Sequence, residues 1–78
     1  MDAYKLAKEM NLLIGSKVKG NEKKWLEIYG KLLSFSKTAT LEEKVILHKE
    51  CPKGEAFCMV ASGIEWDRKR AENEVTND

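Results

Sequence analysis

The sequence predicts an all-α fold, a compact bundle of four short helices that forms a single domain over residues 1–78. Three observations predict it. Apolar residues recur at helical spacing, residues that favour helix ends separate the segments, and the joints between segments are short. A domain of this size buries a limited part of its surface, so a partner chain, a metal or a disulfide would add to its stability.

The first helix is predicted from about Asp2 to Ile14. Gly15 follows as a C-terminal cap, while Tyr4 and Leu12 lie off the apolar arc. At 100° per residue, the arc consists of Ala3, Leu6, Ala7, Met10, Leu13 and Ile14.

The second helix is predicted from an N-cap at Asn21 to about Lys37. It is the most apolar of the four, and Lys24, Glu27 and Lys31 remain on its outer side. We therefore expect it to be the central helix of the core. Its apolar residues, which cover about half of the circumference, are Trp25, Leu26, Ile28, Tyr29, Leu32, Leu33 and Phe35.

The third helix opens at Thr40, which has capping-box spacing to Glu43, and must end before Pro52. Its weakness is the apolar run at residues 45–47, because such a run fits a strand as well as a helix. An α+β fold with a hairpin at residues 44–61 therefore remains the alternative.

The fourth helix is predicted to start after Gly54 and to run into a tail that frays from about residue 75. Met59, Gly63 and Trp66 form a second apolar stripe, almost opposite the inner one. A helix in so small a bundle needs only one buried face, so this second stripe is surplus apolar surface. The inner stripe consists of Phe57, Val60, Ala61 and Ile64.

The only histidine and both cysteines, His48, Cys51 and Cys58, fall within eleven residues. Structural zinc sites use four ligands, typically in two closely spaced pairs, and no second pair exists here. We expect the cysteines to be packing residues and His48 to be partly buried in line with Leu41 and Val45. No metal, cofactor or enzymatic activity is therefore expected, and these three residues are the candidates for a metal site.

The charges are divided unevenly along the chain. Residues 1–39 hold eight lysines and four acidic residues, and residues 40–78 hold six basic and nine acidic residues. Two basic clusters are candidate contacts for phosphate or for an acidic partner. They are Lys17, Lys19, Lys23 and Lys24 around the first joint, and Arg68, Lys69 and Arg70 in the fourth helix.

These features together predict a small, non-catalytic interaction or regulatory protein. It would self-associate or dock on a larger protein through Met59, Gly63 and Trp66, because methionine and tryptophan are typical of interfaces and glycine permits close approach. The alternative is a nucleic-acid-binding regulator that uses the two basic clusters. This is disfavoured because the fourth helix begins with acidic and apolar residues rather than with residues that read bases.

The sequence predicts neither a membrane partner nor export. A membrane span needs roughly 20 apolar residues, and the chain has no such stretch. The start Met-Asp-Ala-Tyr-Lys lacks the features of a secretory signal, so we expect a cytoplasmic location and reduced cysteines.

Overall fold

The computed structural model describes residues 2–76, with side chains described as far as Asn73. This part of the chain is all helical apart from its joints, which confirms the predicted fold class. The predicted frayed tail stays a prediction, since positions 77 and 78 lie outside the described residues. The helices are α1 (Ala3–Ile14), α2 (Glu22–Thr38), α3 (Leu41–Glu50) and α4 (Gly54–Thr76).

The predicted capping box explains why residues 41–50 form a helix and not a strand. The hydroxyl of Thr40 accepts a hydrogen bond from the Glu43 backbone N–H at 3.2 Å, and the Glu43 carboxylate accepts one from the Thr40 backbone N–H at 3.1 Å. These bonds satisfy donors that a helix start otherwise leaves free. The alternative hairpin at residues 44–61 is therefore wrong.

The first joint differs from the expected capping arrangement. Asn21 is the N-cap residue of α2, but its side chain makes no capping hydrogen bond. The side-chain amide instead donates to the carbonyl of Lys17 at 2.8 Å, which closes the loop. Gly20 has a φ of 91°, a conformation that favours glycine because it has no Cβ.

The core is centred on α1, so the prediction that the second helix is central is wrong. Helix α1 packs against each of the other three helices. Of the ten apolar residues that are buried in the described part of the chain, α1 contributes five and α2 contributes two. The small residues Ala3 and Ala7 allow neighbouring helices to come close to α1. The remaining buried residues are Leu6, Met10, Leu13, Trp25, Phe35, Cys51, Phe57 and Ala61.

An aromatic pair connects α2 to α4. The rings of Trp25 and Phe57 are stacked, with centroids 4.9 Å apart and an interplanar angle of 15°. Phe57 is fully buried, and the buried indole N–H of Trp25 has no acceptor among the described residues. Since α4 also buries Ala61, this pair fixes which side of α4 faces the core.

The face of α3 that packs against the core is not the expected one. Ile46 and Leu47 pack on the core, whereas Leu41, Val45 and His48 are exposed. The expectation that these three residues form the inner stripe and that His48 is partly buried is therefore wrong. Because residues 45–47 are all apolar, α3 could pack on the core through either of two faces. The face that packs in the structure places Leu47 in line with Cys51, which is buried one turn later.

Candidate protein interaction surface

The outward face of α4 carries large apolar side chains on the surface. Met59 is 77% exposed and Trp66 is 69% exposed. Gly63 lies between them, and a Cβ at this position would meet no atom within 4 Å. The structure thus places the predicted surplus stripe in solvent, and its role in binding stays a prediction. We call Met59, Gly63 and Trp66 the α4 outward face.

The orientation of this face follows from the anchoring of α4. Phe57 and Ala61 are fully buried, and Ile64 packs against the same core. Because a helix turns by about 100° per residue, Met59 and Trp66 must then point away from the core. No rotation of α4 buries both sets of residues in this fold.

Other exposed apolar residues are distributed over separate helices. They are Tyr4 and Leu12 on α1, Leu33 on α2, Leu41 and Val45 on α3, and Val60 on α4. Tyr4 and Leu12 were expected outside the core. Leu41, Val45 and Val60 were assigned to inner stripes, and that assignment is wrong because all three are exposed. The α4 outward face differs from these in combining a tryptophan, a methionine and an open glycine on a single helix.

The two cysteines and the histidine lie around one groove of about 320 Å³ between α2, α3 and the start of α4. Cys51 is buried and Cys58 is partly buried, and both are free thiols. Burial raises the pKa of Cys51, and burial together with the nearby Glu55 carboxylate raises the pKa of Cys58. The thiols are therefore mostly protonated at neutral pH, and a protonated thiol is a poor nucleophile and metal ligand.

The metal candidates His48, Cys51 and Cys58 are not brought together as a ligand set. Among the described residues, no three His, Cys, Asp or Glu side chains are grouped in a way that could hold a metal ion. What the groove offers instead is mainly apolar surface. Its lining is completed by Met10, Leu32, Lys44, Leu47, Gly54 and Glu55.

A second groove, of about 910 Å³, brings basic residues from both predicted clusters together. Lys19 and Lys23 line it from the first joint and α2, and Arg68 lines it from α4. The carboxylates of Glu22 and Asp67 line the same groove and offset part of the positive charge. The apolar floor was not foreseen from the sequence and consists of Val18, Leu26 and Ile64.

The other predicted basic residues are placed elsewhere. Lys24 lines a separate groove beside Glu27, and neither Lys17 nor Arg70 lines the basic groove. Arg68 is also within 3.7 Å of the Glu72 carboxylate on the same helix. Lys69 lines a different groove, beside Gly30 of α2. The structure thus gathers three of the seven basic residues of the two clusters in one groove and leaves four apart.

Comparison with known proteins found no match to a protein-family model, a curated protein or a solved structure. Within residues 2–76, none of the helices is long and apolar enough to span a membrane. Function therefore has to be inferred from the chemistry of the surfaces themselves.

Proposed function

We propose that this protein is a non-catalytic interaction or regulatory protein that docks on a protein surface through the α4 outward face. The observation that carries the proposal is the exposure of Met59 and Trp66 on either side of Gly63. Tryptophan is enriched among the residues that dominate binding energies, and methionine adapts to irregular partner surfaces. The raised thiol pKa values of Cys51 and Cys58 argue against nucleophilic catalysis.

The surface that Trp66 offers is energetically significant. An aromatic side chain buries about 150–250 Å² when it is fully enclosed, and Trp66 is 69% exposed. About 100–170 Å² of apolar surface therefore remains to be covered, which corresponds to roughly 3–4 kcal/mol at 25 cal/mol per Å². A loss of this size is easily measured as a change in affinity.

The test compares Trp66→Ala with Tyr4→Ala. Tyr4 is a matched control because it is also aromatic, is 56% exposed and lies on α1. Native mass by sedimentation equilibrium, together with capture of partners on the immobilised protein, reports both self-association and docking. We expect Trp66→Ala to reduce one of them strongly and Tyr4→Ala to leave both unchanged. A Trp66→Ala variant that behaves as the parent protein in both measurements contradicts the proposal.

A second candidate function is binding of nucleic acid, which the basic groove favours. Lys19, Lys23 and Arg68 present three cations around one groove, and cations of this kind contact phosphates in nucleic-acid complexes. The two carboxylates of the same groove weaken this candidate. It therefore ranks behind docking through α4.

Titration with duplex DNA at two salt concentrations separates the candidates. Phosphate contacts release counterions, so binding through the groove must weaken steeply as salt rises. The double variant Lys23→Ala/Arg68→Ala should then lose binding, whereas Lys24→Ala, which removes a lysine outside the groove, should retain it. Absence of salt-sensitive binding rejects this second function.

A further inference from the structure

The α4 outward face is centred on two small residues. Met59 and Trp66 lie at equal distances before and after the midpoint between Ser62 and Gly63, each three and a half sequence positions away. At a rise of 1.5 Å per residue, each large side chain is about 5 Å from the midpoint along the axis. All four residues are exposed and fall within an arc of about 100° on the helix.

Opposite charges extend the same pattern outward. Glu55 and Arg70 lie seven and a half positions on either side of the midpoint, or about 11 Å along the axis. Both side chains are exposed on the side of α4 that carries Met59 and Trp66. Among the side chains that the structure describes, neither forms an ion pair within the chain. Both side chains are exposed, so a partner that docks on this face can reach them.

Building on the proposed function, we infer that the occupant of this face is a second copy of the chain, bound antiparallel about a two-fold axis through the midpoint. Met59 then packs against Trp66 of the second copy, and Glu55 pairs with Arg70 of the second copy. Each contact occurs twice, as an isologous interface requires. The small residues at the midpoint lie where the two helices cross.

The distribution of charge selects this arrangement over a parallel one. In a parallel pair, Glu55 would lie beside Glu55 of the second copy and Arg70 beside Arg70, and both contacts would be repulsive. Binding of a different protein does not require the residue pattern of α4 to be symmetric about a two-fold axis. The equal spacing of the apolar and charged pairs is therefore best explained by self-recognition.

The space around Gly63 permits the close approach that the pairing needs. Packed helices lie about 8–10 Å apart, and the smallest separations require small side chains at the crossing. No atom lies within 4 Å of the position that a Cβ on Gly63 would take. Helix α4 of the second copy can therefore approach Gly63 without meeting another part of the first copy. A large side chain at this position would hold the helices apart.

Charge reversal tests the antiparallel pairing directly. Sedimentation equilibrium over a dilution series gives the dimer dissociation constant for the full chain, for E55R, for R70E and for E55R/R70E. Each single reversal turns two attractive pairs into two repulsive ones, so we expect the dissociation constant to rise about tenfold. The double variant restores both pairs and should return to within about threefold of the parent value.

A size variant supplies an independent test that loss of folding cannot mimic. Gly63→Leu should weaken the dimer by about tenfold or more while the monomer melts at the same or a higher temperature, because leucine favours helix more than glycine does. Gly30→Leu is the matched control, since Gly30 is also an exposed helical glycine with no atom within 4 Å of a Cβ. It should leave the dimer unchanged.

The outcomes separate this inference from the proposed function. If Trp66→Ala dissociates the dimer but neither E55R nor R70E weakens it, the antiparallel pairing is overturned and docking through α4 remains intact. A monomer at every concentration also overturns the inference, and docking then stands only if Trp66→Ala abolishes capture of a different protein. If Trp66→Ala alters neither mass nor capture, both fail. Weakening by the single reversals with rescue by the double variant supports both.

Discussion

Truncation of Phe57 should unfold most of the protein. The side chain is fully buried and stacked on Trp25 at 4.9 Å, so Phe57→Ala removes both a large apolar group and an aromatic pair. Replacing a buried phenylalanine with alanine costs about 3–5 kcal/mol. A single core in a domain of this length supplies roughly 3–5 kcal/mol of stability. The cost therefore equals nearly all of the available free energy of unfolding.

A milder variant gives a measurable transition. Phe57→Leu keeps an apolar side chain but loses the stacking, so we expect a loss of about 1–2 kcal/mol. For a domain of 60–100 residues this lowers the melting temperature by about 5–15 °C. Urea and thermal unfolding followed by far-UV circular dichroism measure both changes.

Leu12→Ala is the control for these variants, because Leu12 is 69% exposed on α1 and its removal leaves no cavity. Its free energy of unfolding should stay within about 0.5 kcal/mol of the parent value. A Phe57→Ala protein with the parent's helical content and unfolding midpoint would refute the assignment of Phe57 to the core. Equal losses from Leu12→Ala and Phe57→Leu would refute it as well.

Three further predictions concern titration and exposure. Burial raises the pKa of the Cys51 thiol above 9.0, so the stability present below that pH should fall as the pH rises through the raised pKa. Cys51→Ala should reduce this fall in urea titrations, and the raised pKa of Cys58 accounts for a remaining part. Hydrogen bonds from Thr40 lower the pKa of Glu43 below 4.5. The contribution of Glu43 to the free energy of unfolding is therefore present above that pH and is lost as the pH falls through the lowered pKa. Glu43→Gln should therefore reduce the loss of stability in acid. If the stability of the variant falls at low pH as much as that of the parent protein, the capping assignment is contradicted. Acrylamide should quench exposed Trp66 but not buried Trp25, so strong quenching in Trp66→Phe would contradict the placement of Trp25.

The helix boundaries could be predicted because local interactions determine them. Asp2 caps α1 by accepting a 3.0 Å hydrogen bond from the Tyr4 N–H, and the Thr40 capping box starts α3. Pro52 prevents α3 from continuing, as expected. The inner arc of α1 could be predicted for a similar reason, since its apolar residues occupy one narrow stripe and Leu12 lies outside it.

The docking of helices could not be predicted where several faces are apolar. The apolar residues of α2 cover about half of its circumference, and their periodicity does not determine how many neighbouring helices will pack against them. The run at residues 45–47 allows two faces of α3, and only the tertiary structure selects Ile46 and Leu47. Likewise, the basic groove arises because α4 passes the first joint, which places Arg68 beside Lys19 although 49 positions separate them in sequence.

Chemical-shift mapping on dilution tests the central claim, that the α4 outward face is the surface through which this protein associates. In the ¹⁵N-labelled chain, the backbone amides of Met59 and Gly63 and the indole N–H of Trp66 should shift as the concentration rises. The indole N–H of Trp25, which is buried in the core, should remain in place. Shifts that cluster on α1 around Tyr4 instead, or a spectrum that is the same at every concentration, would contradict self-association through α4.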